Sequence, residues 1–161
     1  MKLVRRISIS FLLLLSIPGE SMAADNDALY FALSNRDFSA TTAQLEQIAG
    51  GREQLIGRLL ELRHDSSLPA VGMRAGKLLL GYSADARVKQ ALAEDMASTQ
   101  YLGLARAITL HLDSIEDQSL RRSLAQVAVD RAKQDPSFVP YLKSLDSSSD
   151  DEVRRIAKSV Q

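Results

Sequence analysis

The chain has 161 residues in which 20 Lys and Arg balance 20 Asp and Glu, with two His, no Cys and no Trp. A near-neutral chain carries no global field for nucleic acid, and the lack of cysteine excludes disulfides and a thiol nucleophile. Without Trp, four Tyr and four Phe are thin material for a platform on which sugars or bases stack.

The first segment reads MKLVRRISISFLLLLSIPGESMAADND. Lys2, Arg5 and Arg6 form a basic n-region and Ile7 to Ile17 an apolar h-region. Ser21-Met22-Ala23 then puts small residues where a signal peptidase needs them, before Ala24. The pattern predicts a cleaved signal peptide over residues 1–23 and a single domain over residues 24–161. The apolar run falls short of the roughly 20 residues that a membrane-spanning helix requires, so no integral span is expected after cleavage.

From there on, alternating strand patterns are missing and helical spacing recurs. Leu55, Ile56, Leu59 and Leu60 make a first stripe, and Val71, Ala75, Leu78 and Tyr82 a second. Val88, Leu92 and Met96 follow, then Leu104, Ile108 and Leu112, then Leu120, Leu124, Val127 and Ala132. Phe138, Tyr141, Leu142 and Leu145 precede a closing stripe of Val153, Ile156, Ala157 and Val160. Thr41-x-x-Gln44 and Ser149-x-x-Glu152 both fit a capping box, and Leu68-Pro69 and Asp135-Pro136 mark further helix starts. Gly50-Gly51, Asp65-Ser66-Ser67 and Ser147-Ser148-Ser149 break the pattern. Short connections predict antiparallel neighbours. Residues 68–82 and 101–112 are apolar on several sides and are expected to be the most buried helices. Gly72-x-x-x-Gly76, in a soluble domain, predicts a close approach by a neighbouring helix.

MRAGKLLL, LARAITLH, LRRSLAQV and VRRIAKSV share an apolar start and further apolar positions, and recur at the spacing of one helix pair in two of three intervals. LKSLDSSSDDEVRRIAKSV resembles a HEAT-like repeat unit, and LLELRHDSSLPAVGMRAGKLLL a more degenerate one. The resemblance spans roughly residues 52–161. It implies an all-α fold of antiparallel hairpins stacked as a short α-solenoid, with a compact helical bundle as the alternative. By motif position it implies that Asp65 with Arg74, and Asp146 with Arg154, help join adjacent helices. The middle unit departs from the pattern, with Ala105 where the arginine should stand and Arg106 one place late. In such a stack the last helix serves as a cap, its inner face covering the helix at 136–145. Arg154, Arg155 and Lys158 would face outward, where a partner can dock.

Chemistry is scarce. Arg63-His64-Asp65-Ser66-Ser67 holds triad residue types, but neighbours in one turn cannot oppose base and nucleophile, so His64 reads as a solvated helix end. His111 falls near the apolar stripe of Leu104 and Ile108 and reads as a partly buried core histidine. Asp146, Asp150, Asp151 and Glu152 lack the spacing of a calcium loop and read as N-terminal acids of the last helix. Glu94-Asp95, Glu116-Asp117 and the basic set Arg121, Arg122, Arg131 and Lys133 read as solvated faces. No catalytic, cofactor-binding or metal-binding residue is therefore predicted. The expectation is an exported, periplasmic, non-enzymatic helical-repeat protein that binds another protein, as adaptor, immunity-type inhibitor or chaperone. The alternative is a small periplasmic hydrolase using carboxylates and His111.

Overall fold

The computed structural model describes residues 21–35, 37 and 39–159, with residues 21–27 described by backbone alone. The predicted n- and h-regions and Val160 lie outside the described residues. The helices are α1 (Ser21–Ser34), α2 (Thr42–Ala49), α3 (Arg52–Leu62), α4 (Pro69–Leu79), α5 (Ala86–Ala97), α6 (Leu102–Leu110), α7 (Gln118–Gln134), α8 (Val139–Leu142) and α9 (Asp151–Lys158). Short 3-10 turns cover Leu80–Tyr82, Leu112–Ser114, Pro136–Phe138 and Lys143–Ser147. No strand occurs among the described residues, and the fold is all-α.

Local chemistry explains the boundaries. Thr41 and Gln44 form a complete capping box at α2: the Gln44 amide donates to Thr41 Oγ1 at 3.3 Å and the Thr41 amide to Gln44 Oε1 at 2.8 Å. Gly50, at φ 83°, ends that helix in the left-handed region, its N–H reaching the Gln47 and Glu46 carbonyls. Pro69 opens α4, where a missing N–H costs nothing. Asp85, Asp117 and Asp150 cap α5, α7 and α9. The second predicted box is thus displaced by one residue. Asp150, a full carboxylate, accepts from both Glu152 and Val153 amides, while the Ser149 amide donates to Asp113 Oδ2 at 3.0 Å. The single helix expected at 136–145 is also broken, into a 3-10 turn, α8 and a second 3-10 turn. Pro136 and Pro140 remove two amide donors there, which favours the tighter turn.

The principal packing follows chain order. α1 lies on α2 and α4, α3 on α4, α6 on α4 and α5, α7 on α5, and α9 on α7 and the Lys143–Ser147 turn. The two glycines of α4 set its spacing. A Cβ on Gly72 would come 2.9 Å from the Arg63 carbonyl oxygen, and one on Gly76 would come 2.1 Å from Leu104 Cδ1. α4 therefore closes onto the end of α3 at one glycine and onto α6 at the other. Val71, Ala75 and Leu79 of α4 and Leu104, Ala105 and Ile108 of α6 are buried as expected. Their other faces are less so: Leu78 is half-buried, Leu68 is exposed, and Leu110 is 51% exposed. The balance is made up by α7, which buries Leu124, Ala125, Ala128, Val129 and Ala132. At α9, Val153 and Ala157 are buried, and they pack chiefly on α7 and the Lys143–Ser147 turn instead of spanning 136–145.

Candidate functional site

Two of the three outward residues of α9, Arg154 and Arg155, pair with acids of their own helix. Arg155 is 77% exposed at its side chain and pairs with Glu152 one turn back, at 2.9 Å from Nε. Arg154 is only half-exposed: it pairs with Asp151, and its guanidinium donates to the Ser148 carbonyl. Lys158 is exposed. Of the residues assigned by motif position, Arg74 reaches across to α1 and donates to the carbonyls of Leu33 and Asn35, the latter at 2.5 Å. Asp65 accepts from the Ser67 amide at 2.8 Å and hydroxyl at 2.5 Å, and these bonds hold its carboxyl below the usual range. Asp146 is exposed in the turn before α9.

The basic set on α7 is a solvated face only in part. Arg121 is 9% exposed, and its Nε and Nη2 donate to the Ile115 carbonyl at 3.0 and 2.6 Å. Its third nitrogen reaches Ser149 Oγ at 3.3 Å. Arg122 pairs with the buried Asp150 at 3.0 Å, which lowers that carboxyl's pKa together with the two capping amides. Arg131 donates to the Met96 carbonyl at 2.7 Å and lies over the Phe138 ring. Arg122, although paired, is itself exposed, and Lys133 is exposed beside Asp130 at 3.0 Å, so these two conform and Arg121 and Arg131 do not. The long helix is amphipathic in a less obvious sense: its arginines tie down neighbouring segments.

The two histidines exchange roles. His64 is not a solvated helix end. Its Nε2 lies 2.5 Å from Oδ1 of Asp95, which is 1% exposed, and its ring stacks on Tyr101 with centroids 3.7 Å apart. Arg63 Nε donates to the same carboxylate at 3.1 Å. Asp95, read from the sequence as solvated, is thus the buried tie between the end of α3 and the end of α5. His111 is exposed at the end of α6, with its pKa lowered by partial burial and by Lys77. Among the described residues no group of three His, Asp or Glu side chains is placed to hold a metal ion, and no helix is long and apolar enough to cross a membrane.

A concavity between α1 and α2 was not foreseen. α1 presents Leu29 and Leu33 to the core. Ala28, Phe31, Ala32 and Asn35, spaced i, i+3, i+4, i+7, make a second face. Ala28, Ala32 and Asn35 line a cleft of about 750 Å³ against Ala40, Gln44 and Ile48. Asp37 is the one charged residue in this described lining. Phe31 stands beside it with 73% of its surface in water, the most exposed large apolar side chain among the described residues. The alternation of Leu29, Phe31 and Leu33 was the signal in the sequence, hidden by its closeness to the leader. No family model, no curated protein and no solved structure matches the chain.

Proposed function

We propose that the chain is a non-enzymatic helical binding protein, exported to the periplasm, whose docking face is the α1–α2 cleft. The observation that carries this reading is Phe31. A phenylalanine held on a regular helix beside a cleft of alanines and an isoleucine leaves apolar area in water that burial against a partner would remove, at about 25 cal/mol per Å². The side-chain amides of Asn35 and Gln47 offer hydrogen bonds at the cleft, and Asp37 is the one charge in its described lining that a partner would have to cover or pair. The partner is a protein that lays an amphipathic segment there, by the helix-in-groove mode. The serial packing of the helices supports the stacked-hairpin architecture inferred from the HEAT-like motifs. The α9 residues Arg154 and Arg155 are less suited to lead recognition, because each is already neutralised by its own helix.

The test immobilises residues 24–161 and exposes them to an envelope extract, with Phe31→Ala and the double variant Arg155→Gln/Lys158→Gln in parallel. The expected result is one protein retained by the parent chain and the double variant and lost by Phe31→Ala. Loss with the double variant alone would move docking to α9. Retention by all three, or by none, would refute the cleft.

A further inference from the structure

A second concavity, separate from the α1–α2 cleft, lies where the turn after α3 meets the starts of α4 and α6. It encloses about 310 Å³, within the range of small-molecule sites. His64, Tyr101, Pro69, Met73, Gly103 and Leu104 line it. The rings of His64 and Tyr101 lie parallel within 4°, which gives the cavity a flat aromatic flank. That flank is fixed from behind. Asp95 is buried and holds the His64 ring through Nε2, so the stack does not have to be assembled when a ligand arrives.

The two charged side chains of the wall, Arg63 and Asp65, are both already hydrogen-bonded. Arg63 is committed to Asp95 at 3.1 Å, to the Leu60 carbonyl at 2.6 Å and to Glu94 at 3.4 Å. The Asp65 carboxylate is committed to Ser67. An anionic guest would lose its hydration beside the Asp65 carboxylate without gaining a free counter-charge, and a cationic one would compete with the water and the two Ser67 hydrogen bonds that already stabilise that carboxylate. A neutral ring would extend the aromatic stack and cover Met73 and Leu104 at no such cost. We propose that this cavity is a binding site for a small, planar, uncharged aromatic molecule, about the size of indole.

The experiment records amide NMR spectra of residues 24–161 titrated with indole, and separately with benzoate and benzylamine as anionic and cationic counterparts. Indole should give saturable shifts confined to residues 63–66, 72–73 and 101–104, and the two ions should not saturate over the same range. Gly103→Leu should abolish the shifts with the melt unchanged, because a Cβ there meets only Met73 Sδ at an ordinary 3.5 Å and the longer side chain fills the cavity. Should that variant fail to fold, Tyr101→Leu removes the stack while keeping bulk, and it should also lose the shifts. Absence of saturation with indole overturns the proposal, as do shifts that persist in the folded variant. Preferential saturation by either ion also overturns it: by benzylamine in favour of a cation held at Asp65, by benzoate in favour of an anion held by the first-turn amides of α6, which has no side-chain cap.

Discussion

The two ends of the described chain are finished in opposite ways. At the C-terminal end, polar groups are drawn inward and satisfied. Arg121 holds the Ile115 carbonyl, Asp113 accepts from the Ser148 hydroxyl at 2.5 Å and from the Ser149 amide, and Asp150 caps α9 while pairing with Arg122. At the N-terminal end, α1 is held by two buried leucines, by Arg74 on its last carbonyls and by a long Tyr30–Ser67 contact of 3.4 Å. Its opposite face leaves Phe31 in water. A polar joint of the first kind fixes a segment in place and asks for nothing further. An apolar face of the second kind leaves free energy available to an association. The contrast sets satisfied polar joints at one end against an unburied apolar face at the other.

Truncation gives the largest effect by which to break that contrast. Ending the chain at Ser148 removes Val153 and Ala157 from α7 and strands Arg122 with a partner lost. The expected loss is about 3 kcal/mol or more. Starting the chain at Ala28 instead of Ala24 should change stability by less than about 0.5 kcal/mol, because Leu29 and Leu33 stay docked. Denaturant melts of the two truncations against residues 24–161 check both. Equal losses at the two ends would remove the asymmetry.

Arg121 sharpens the same point within one side chain. Replacing it by Met keeps much of the aliphatic stem and removes every donor, leaving the Ile115 carbonyl without its charged partner. The expected cost is about 2–3 kcal/mol, read from the shift in denaturant midpoint at unchanged slope. A loss no larger than that of Lys133→Met would return Arg121 to the solvated face that its sequence neighbourhood suggested.

The contrast between those two residues shows how far the sequence can be read. Caps that act within four residues were legible at Thr41 with Gln44 and at Pro69, and at α9 to within one residue, where Asp150 takes the place read for Ser149. So was the need for small residues at Gly72 and Gly76. Contacts that depend on where another helix lies were not. Arg121 and Lys133 share a helix and a charge, and only the approach of Ile115 separates them. His111 was misplaced because the α-helix that carries Leu104 and Ile108 ends at Leu110. The chain then tightens into a 3-10 turn that leaves His111 at the surface with its ring partly covered. His64 was misplaced for the converse reason: its partner, Asp95, is 31 residues away. The α1–α2 cleft was missed because α1 begins inside the segment assigned to the leader.

Asp150 gives an intermediate effect with a pH signature. Its carboxyl pKa is lowered by Arg122 and by the amides it caps. A group depressed in the folded state stabilises fully above its unfolded pKa and loses that contribution as pH falls through the folded value. The linkage therefore acts in the acid range, from about pH 4 downward. Asp150→Asn keeps a capping side chain but no charge, and its cost should fade as pH falls through that window. Asp150→Ala should cost about 1–2 kcal/mol at neutral pH, since it removes cap and ion pair together. Urea melts at several pH values would show whether the Asn variant converges on the parent; a constant difference down to pH 2 would mean that charge is not the reason for the cap's strength.

The smallest effect is expected where both ends are probed on their water-facing sides. Phe31→Ser removes no core contact, and Arg155→Gln with Lys158→Gln breaks only a pair between exposed side chains of one helix. Each change should leave stability within about 0.5 kcal/mol of the parent. They should differ in another observable. Exposed apolar area favours self-association at high concentration, so Phe31→Ser should raise the concentration at which light scattering first increases. The α9 double variant should not raise it, because it removes charge from an already hydrated surface. If both variants scatter like the parent, Phe31 is an isolated apolar side chain of the kind every protein surface carries. The cleft beside it would then have no stronger claim to a partner than the basic face of α9.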